Sequence, residues 1–418
     1  MRFPPSIYFN LAALLILGVV TFYGLRNWEA DIATDFTNAW IPGQASRIFP
    51  VDDIYSLQNR QTLVAYTPDW ARREGFKRCN ISYVGAEGFE FTATPFLYAL
   101  LAEASTGNFD RDYFNFRTAC TLAFIAAFIY FAWAFGYPLM MTACLMAFFA
   151  HCYWPLLMDI YVSNINRIQL LALAVIVALL ALQEWPWEIL TGFVYGLAAA
   201  AKPNLIYIAV LLFVHWGVRK RWVRLGNFAL GLLPAVFFAW WLPHRYFGPT
   251  CTWNQWLTEH PQILYTDWYL TGGVLGKLTG TKNMLFFSVY GISFLAATAA
   301  AVAMMSRSSL NHWQTEIALM GLGVSVYILS GPIVHSHYFT LLIPWWLFVM
   351  RRFWRWRSSW GRTAWGLAAL FLLSSHPLFS LWGLTQAPNH SLLTFAGAAI
   401  LFALIFEDIR SPLPLAAD

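Results

Sequence analysis

The chain is 418 residues long, 59% hydrophobic and 18% aromatic, with only 11% charged residues and a formal net charge of +5. A soluble domain carries roughly 25% charged residues, so this composition excludes an ordinary soluble enzyme or binding module. The small positive balance sits in short Arg/Lys clusters, which suits membrane topology and anionic lipid and argues against a nucleic-acid partner.

Apolar runs of spanning length recur along the chain and predict an all-α fold, a polytopic transmembrane helical bundle. The 22 Trp and 19 Tyr suit interfacial belts at many helix ends. The first run, 7–25, lacks a small-residue cleavage site and reads as a retained helix. The stretch NWEADIATDFTNAWIPGQASRIFPVDDIY (27–55) follows it directly. It carries Asp31 and Asp35 one helical turn apart where the chain leaves lipid for water, and then Phe36, Trp40 and Phe49 at spacings that can lie flat on a membrane surface. An acid held at a bilayer edge suits proton abstraction beside a lipid-borne substrate. The plainer alternative is that both aspartates are solvated and help to end a helix. The first polar loop extends over 27–90, and its PVDDIY reads as a turn at Asp52-Asp53 followed by a short helix or strand.

Further spans are expected at 91–105, 114–135, 138–157 and 168–182. The stretch 189–218 is too long for one straight crossing and short for two, and Lys202-Pro203-Asn204 interrupts it. It reads as a single pass broken at Pro203, with the freed backbone groups satisfied inside the protein. A span at 225–242 precedes a second long loop, 244–282, and spans at 284–305, 317–329, 338–350, 364–384 and 392–406 complete the chain. The expectation is twelve to thirteen spans in a single integral membrane domain, 1–418. Arg219, Lys220, Arg221 and Arg224 mark one cytoplasmic loop, and Arg351, Arg352, Arg355, Arg357 and Arg362 another. Counting from these puts 27–90, 244–282 and 331–338 outside, with the N-terminus and the Asn164 region cytoplasmic.

Several polar residues interrupt the apolar pattern. Lys202 lies beside the helix break, where an intramembrane lysine either faces a cavity or snorkels to an interface. His335 and His337, in VHSHYF, could bind a phosphate or hold the carboxylates, or could cap a helix and pack at an interface. Their i, i+2 spacing does not make a helical metal pair, and no metal or other cofactor is expected. Asn164 and Asn166 head a helix, where Asn is a common N-cap. Asp159, Arg117 and His151 sit near helix ends and read as structural. Cys79 and Cys251 fall in loops on the same side, where an oxidising compartment would allow a disulfide.

Short patches occurring in one order resemble the GT-C class of integral membrane glycosyltransferases, specifically glycosyltransferase family 87. They are Asp35-Phe36 with Trp40 and Asp53-Ile54-Tyr55 after the first helix, the aromatic-to-proline start Phe91 to Pro95, Ser163-Asn164-Ile165-Asn166 at a helix start, Lys202-Pro203, and the run from Ser330 to Pro344 containing His337-Tyr338. Ser163 and His335 depart from the residues that the family carries there. The resemblance implies a GT-C-like fold and a polyprenyl-phosphate-linked sugar donor, such as the mannose derivative, used at the outer face of a bacterial plasma membrane. It implies metal-free inverting transfer to a glycan or glycolipid acceptor, with Asp35 as general base and Asp31 positioning it. Lys202 and His337 would then meet the donor phosphate, and Trp40, Asn164, Asn166, His335 and Tyr338 would line the substrate site. For this chemistry Asp35, Lys202 and His337 must share one cavity that is open sideways to lipid and walled by Trp40 and Tyr338. The rival from another class is a transporter or lipid flippase using the Lys202-Pro203 break as its site, though the sequence shows one obvious break and no internal repeat. A structural subunit of an envelope complex is the third reading.

Overall fold

A backbone in an apolar surround must satisfy its own hydrogen bonds, and the apolar runs of this chain do so as helices. A computed structural model describes residues 5–26, 33–48, 53–56, 59, 93–264, 284–306, 312–331, 334–355, 360–374 and 387–410. Among these the fold is all-helical, with sixteen α-helices: α1 (Pro5–Arg26), α2 (Thr34–Ile48), α3 (Pro95–Ala104), α4 (Phe109–Ala134), α5 (Leu139–Cys152), α6 (Trp154–Val162), α7 (Asn166–Leu182), α8 (Trp185–Ala201), α9 (Ile206–Val218), α10 (Trp222–Phe247), α11 (Trp253–Leu264), α12 (Met284–Ser306), α13 (His312–Ser330), α14 (Ile343–Arg355), α15 (Trp360–Leu373) and α16 (Ala387–Arg410). Four helical stretches are long and apolar enough to cross a membrane: Phe109–Ala134, Trp222–Thr250, Ser288–Ser306 and Leu392–Arg410. A fifth is the pair α5 and α6, if it counts as one span, and its two helices meet at 61°. Large apolar side chains such as Leu122, Trp133, Leu233, Phe237 and Ile292 stand on the outside of these helices, as a lipid-facing surface requires. Four or five such helices are the basis for a multi-pass membrane protein.

Helix direction follows from the contacts at the two ends. The start of α8 (Glu188), the start of α10 (Arg224), the start of α13 (Glu316) and the end of α7 (Leu180) all meet through Arg224. The opposite ends of three of these helices gather elsewhere, at Asn166, Lys202 and His337. α8 and α10 therefore run parallel, and their backbones touch. A Cβ on Gly192 would lie 2.0 Å from the Phe228 carbonyl oxygen, and one on Gly231 would lie 1.9 Å from that of Ile189. Only glycine permits this approach, which is the small-residue packing common between membrane helices.

Two expected passes differ from the sequence reading. The stretch 189–218 is not one broken pass. α8 runs away from the Arg224 end, the chain turns at Lys202 and Pro203, and α9 runs back, so that Phe213 and Trp216 pack on Phe228 as Tyr195 does. The Tyr195 hydroxyl donates to the carbonyls of Leu205 and Ile206 across the turn. The expected span 91–105 contains only the ten-residue α3. At 1.5 Å per residue this is about 15 Å, half the hydrocarbon thickness. Thr94 at its start donates to the Ala201 carbonyl, and Ser105 past its end donates to Asp112 in the first turn of α4, so both ends of α3 lie at the Lys202 end of the bundle. The two changes cancel in a parity count, so α2 and the end of α10 lie together at the end of the bundle opposite the Arg-rich cluster. Between the two changes the parity is reversed. The Asn164 region accordingly sits at the Lys202 end, not at the Arg-rich end where the count put it. α10 also continues through Pro243 to Phe247, shortening the second loop.

At the Lys202 end, α2 and α3 pack with the first turns of α4 and the end of α10 around Phe36, Tyr55, Phe96 and Tyr98. The Ala33 N–H donates to the Tyr161 carbonyl, tying the entry of α2 to the end of α6. Asp53 forms the expected turn by accepting from the Tyr55 N–H, and Ile54 N–H bonds the Thr250 carbonyl, joining this turn to the end of α10. Cys251 is buried against the Tyr55 hydroxyl, while Cys79 and Phe49 lie outside the described residues.

Candidate functional site

The site is built where four chain segments end. α6 stops at Ser163, whose left-handed backbone (φ 55°) turns the chain sharply and lets the Asn164 N–H bond the Asp159 carbonyl. This delivers the Asn164 side chain into the gap between α2, the α8–α9 turn and the segment after α13. Its Nδ2 lies 2.5 Å from Asp35 Oδ2 and 3.2 Å from His337 Nε2, and its Oδ1 accepts from Lys202 Nζ at 2.7 Å. Lys202 Nζ also donates to Asn166 Oδ1 at 3.0 Å and stands 3.9 Å over the Tyr338 ring. The ring gives the ammonium a partner without cancelling its charge.

The hydrogen bonds set the protonation states. Lys202 can only donate, so the Asn164 atom facing it is the oxygen and the amide nitrogen faces Asp35 and His337. Both of its protons are then used, one by the carboxylate and one by the imidazole, and His337 Nε2 is an acceptor. Burial holds His337 well below the ordinary histidine range, and the charges of Lys202 and His335 push the same way. Burial likewise lowers Lys202 to about 7, against the pull of Asp35 and Asp159. Burial also raises the Asp35 carboxyl above its ordinary range, against the pull of the Asn164 hydrogen bond and of Lys202. Its side chain is 33% exposed and lines the cavity of the site. A carboxylate raised in this way is a better proton acceptor.

A second layer holds this arrangement. Asn166 Nδ2 donates to Asp159 Oδ1 and to the His337 carbonyl, and Asp159 pairs with Arg167 at 2.8 Å with both side chains almost fully buried. Gln169 donates to the Lys202 carbonyl and to Asn204 Oδ1, which satisfies the backbone freed at the helix break. Asn164 and Asn166 are thus not N-caps. The capping position of α7 is Ile165, without a side-chain cap bond, and both carboxamides serve the polar cluster.

The cavity measures about 150 Å³, and Asp35, Asn164, Lys202, His335, His337 and Tyr338 form its polar wall. Asp35, Lys202 and His337 are thereby brought together from positions 35 to 337 of the chain. His335 stacks on His337 with ring centroids 5.3 Å apart. Trp40 does not line the cavity. It is 6% exposed, packs edge-on against Phe109 and donates its indole N–H to Asp112 at 3.0 Å. Phe36 is likewise buried, so this face of α2 points into protein and not onto a membrane surface. The reason is that Asp112 offers the indole a buried acceptor among rings that an isolated α2 would lack. Asp31 lies outside the described residues.

The sequence reading missed Asn38 and Trp256, which both line the cavity. Asn38 carried a usable signal, since it lies three residues after Asp35 and so on the same helical face. Trp256 did not, because only the turn after α10 brings it there. No protein-family model, characterised protein or solved structure matches the chain.

Proposed function

We propose that this chain is a GT-C-like membrane glycosyltransferase that moves a hexose, such as mannose, from a polyprenyl-phosphate donor to a glycan or glycolipid hydroxyl. One observation carries the reading: the Asp35 carboxyl and the Lys202 amine share one cavity, kept apart by the Asn164 carboxamide. With the two hydrogen bonds at 2.5 and 2.7 Å, Asp35 Oδ2 and Lys202 Nζ are at most about 7.5 Å apart across the Asn164 carboxamide. That separation admits a reacting sugar carbon between base and charge stabiliser.

In the proposed step the acceptor hydroxyl gives its proton to Asp35 while its oxygen attacks the anomeric carbon from the face opposite the phosphate. The bond from the anomeric carbon to the phosphate oxygen breaks, its electron pair leaves with the polyprenyl phosphate, and the configuration inverts. Lys202 faces the charge that grows on that oxygen. Asn164 orients both groups, and Asn166 and Tyr338 hold Lys202 in place. The Arg-rich end would lie in the cytoplasm and the cavity at the outer face of a bacterial plasma membrane, with shorter helices adding to the spans toward twelve or thirteen.

The test is incubation of the purified chain with labelled polyprenyl-phosphate sugars. Release or transfer of the sugar supports the reading. Counterflow of a solute without chemistry would replace it with the transporter reading, in which the Lys202-Pro203 break is a carrier site.

A further inference from the structure

Asp159 reads as structural in the sequence, but the fold connects it to Lys202. Lys202 Nζ has two carboxamide partners, Asn164 Oδ1 at 2.7 Å and Asn166 Oδ1 at 3.0 Å. Each carboxamide turns its nitrogen to a carboxylate, Asn164 to Asp35 at 2.5 Å and Asn166 to Asp159 at 2.9 Å. The amine thus sits in a fork with one carboxylate behind each arm. The two arms differ in exposure: Asp35 lines the cavity, whereas Asp159 is fully buried and does not.

The buried arm is fixed at every atom that can bond. Asn166 gives its two N–H groups to Asp159 and to the His337 carbonyl, and its oxygen faces Lys202 and, at 3.5 Å, the Asn204 amide. The other oxygen of Asp159 accepts from Arg167 Nε at 2.8 Å. Across Asn166, Asp159 Oδ1 and Lys202 Nζ are at most about 8 Å apart, within reach of a charge interaction between buried groups. Asp35 and Asp159 both pull the Lys202 amine toward its charged form, against its burial. The remaining charged or titratable groups around it are His335, His337 and Tyr338 after α13, Tyr327 on α13, and Arg167 on α7, which pairs with Asp159. Of the two carboxylates, only Asp35 loses its charge in the proposed step, when it takes the proton of the acceptor. Asp159, sealed from the cavity, is no party to that transfer.

We infer that Asp159 is a positioning residue for Lys202: through Asn166 it fixes the amine at the cavity wall, and it supplies the counter-charge that stays in place while Asp35 is neutralised. The role in turnover rests on the glycosyltransferase reading, whereas the coupling of Asp159 to Lys202 is a separate claim. A buried ion pair such as Asp159–Arg167 can often be replaced by apolar side chains of similar volume without loss of stability. A pair that only fastens helices leaves Lys202 unchanged on such a replacement, and a pair that serves Lys202 does not.

The reactivity of Lys202 reads this coupling without turnover. The full chain in lipid nanodiscs is reductively methylated with formaldehyde and cyanoborohydride across a pH series. Labelling of Lys202 is followed by peptide mass spectrometry, with the exposed Lys220 as reference. Only the unprotonated amine reacts, so the pH of half-labelling reports the charge on Lys202. Asp159→Asn should lower that pH by about one unit and leave Lys220 where it is. The double variant Asp159→Leu/Arg167→Met should do the same with an unfolding midpoint near wild type, which keeps the test valid where the single variant fails to fold. An unmoved Lys202 in the folded variants overturns the inference, as does a shift that Lys220 shares. In sugar transfer, the alkaline limb of kcat should move down by the same amount while the donor KM stays near wild type. A limb that stays put while Lys202 shifts overturns the role in turnover. A Lys202 shift in a chain that transfers no sugar from labelled donor removes the enzyme reading and leaves the coupling standing.

Discussion

Two buried polar clusters occupy the two ends of this bundle, and they use the same chemical groups differently. At the Arg-rich end, Arg224 meets Glu316 at 2.8 Å and Glu188 at 3.4 Å, Arg221 adds a contact to Glu316 at 3.7 Å, and the Trp216 indole donates to Glu316. Every carboxylate there touches a guanidinium directly, and the cluster ties the starts of α8, α10 and α13 together. At the other end the carboxylate of Asp35 and the ammonium of Lys202 are joined only through the Asn164 amide, and each keeps a side turned to the cavity. Charges that neutralise one another in direct contact hold helices. Charges kept apart by a neutral spacer remain available to a ligand, and the helix ends around them must be fixed by other means. Here the Asp159–Arg167 pair behind Asn166 does so.

That comparison can be broken most sharply at Asp35. Asp35→Asn keeps shape and hydrogen bonding but removes the base, so sugar transfer should fall about 10²–10⁴-fold while the thermal unfolding midpoint stays near wild type. Wild-type transfer in this variant would sink the assignment of the base. Arg224→Met is the counterpart at the opposite end. It strands Glu316 and Glu188 in a buried site and should destabilise the protein by about 3–5 kcal/mol, read as a lowered unfolding midpoint, with transfer per folded molecule unchanged. Lost transfer at unchanged stability would mean that the Arg-rich cluster is more than a fastener.

Lys202→Met should lower kcat about 10²–10³-fold, since one preorganised charge stabiliser is removed. A change in donor KM alone would show that Lys202 binds the phosphate equally in ground and transition states. The smallest effect is on the pH profile. The base must be ionised, so kcat/KM should be full above the Asp35 pKa and decline as pH falls through it. Because burial raises that pKa, the acid limb should lie above the ordinary aspartate value of about 3.9. His337→Gln should leave the limb in place, because Asp35 is the proposed base. A limb that disappears with His337 would make the histidine the titrating group.

Much of the site could be read from the sequence because its residues are polar interruptions of apolar stretches. Lys202 sits beside a helix break, Asn164 and Asn166 open an apolar run, and His337 opens another, and each is conspicuous where lipid or protein is the solvent. Trp40 was misplaced because an aromatic residue near a membrane edge suits an interface and a protein core equally well, and the choice depended on Asp112, 72 positions away. The hydrogen-bonding role of His337 was not legible, because it depends on which atom of Asn164 faces it, and Lys202 decides that. Asn38 was overlooked although its i+3 spacing from Asp35 put both on one helical face, and Trp256 because only the turn after α10 brings it to the cavity.

Hydropathy by itself determined that the chain is helical with several runs long and apolar enough to cross a membrane, since helices satisfy the backbone across such runs. Composition, a property of single residues, was enough for that. The path of the chain required the tertiary structure. Pro203 permits either a kink in one pass or a turn between two, and α3 is apolar but too short to cross. What selected the turn was packing: Tyr195 bonds across it, and Gly192 and Gly231 bring α8 and α10 into contact. The meeting of Asp35, Asn164, Lys202 and His337 follows from that path, because side chains so far apart in sequence share a cavity only when the helix ends that carry them lie at the same end of the bundle.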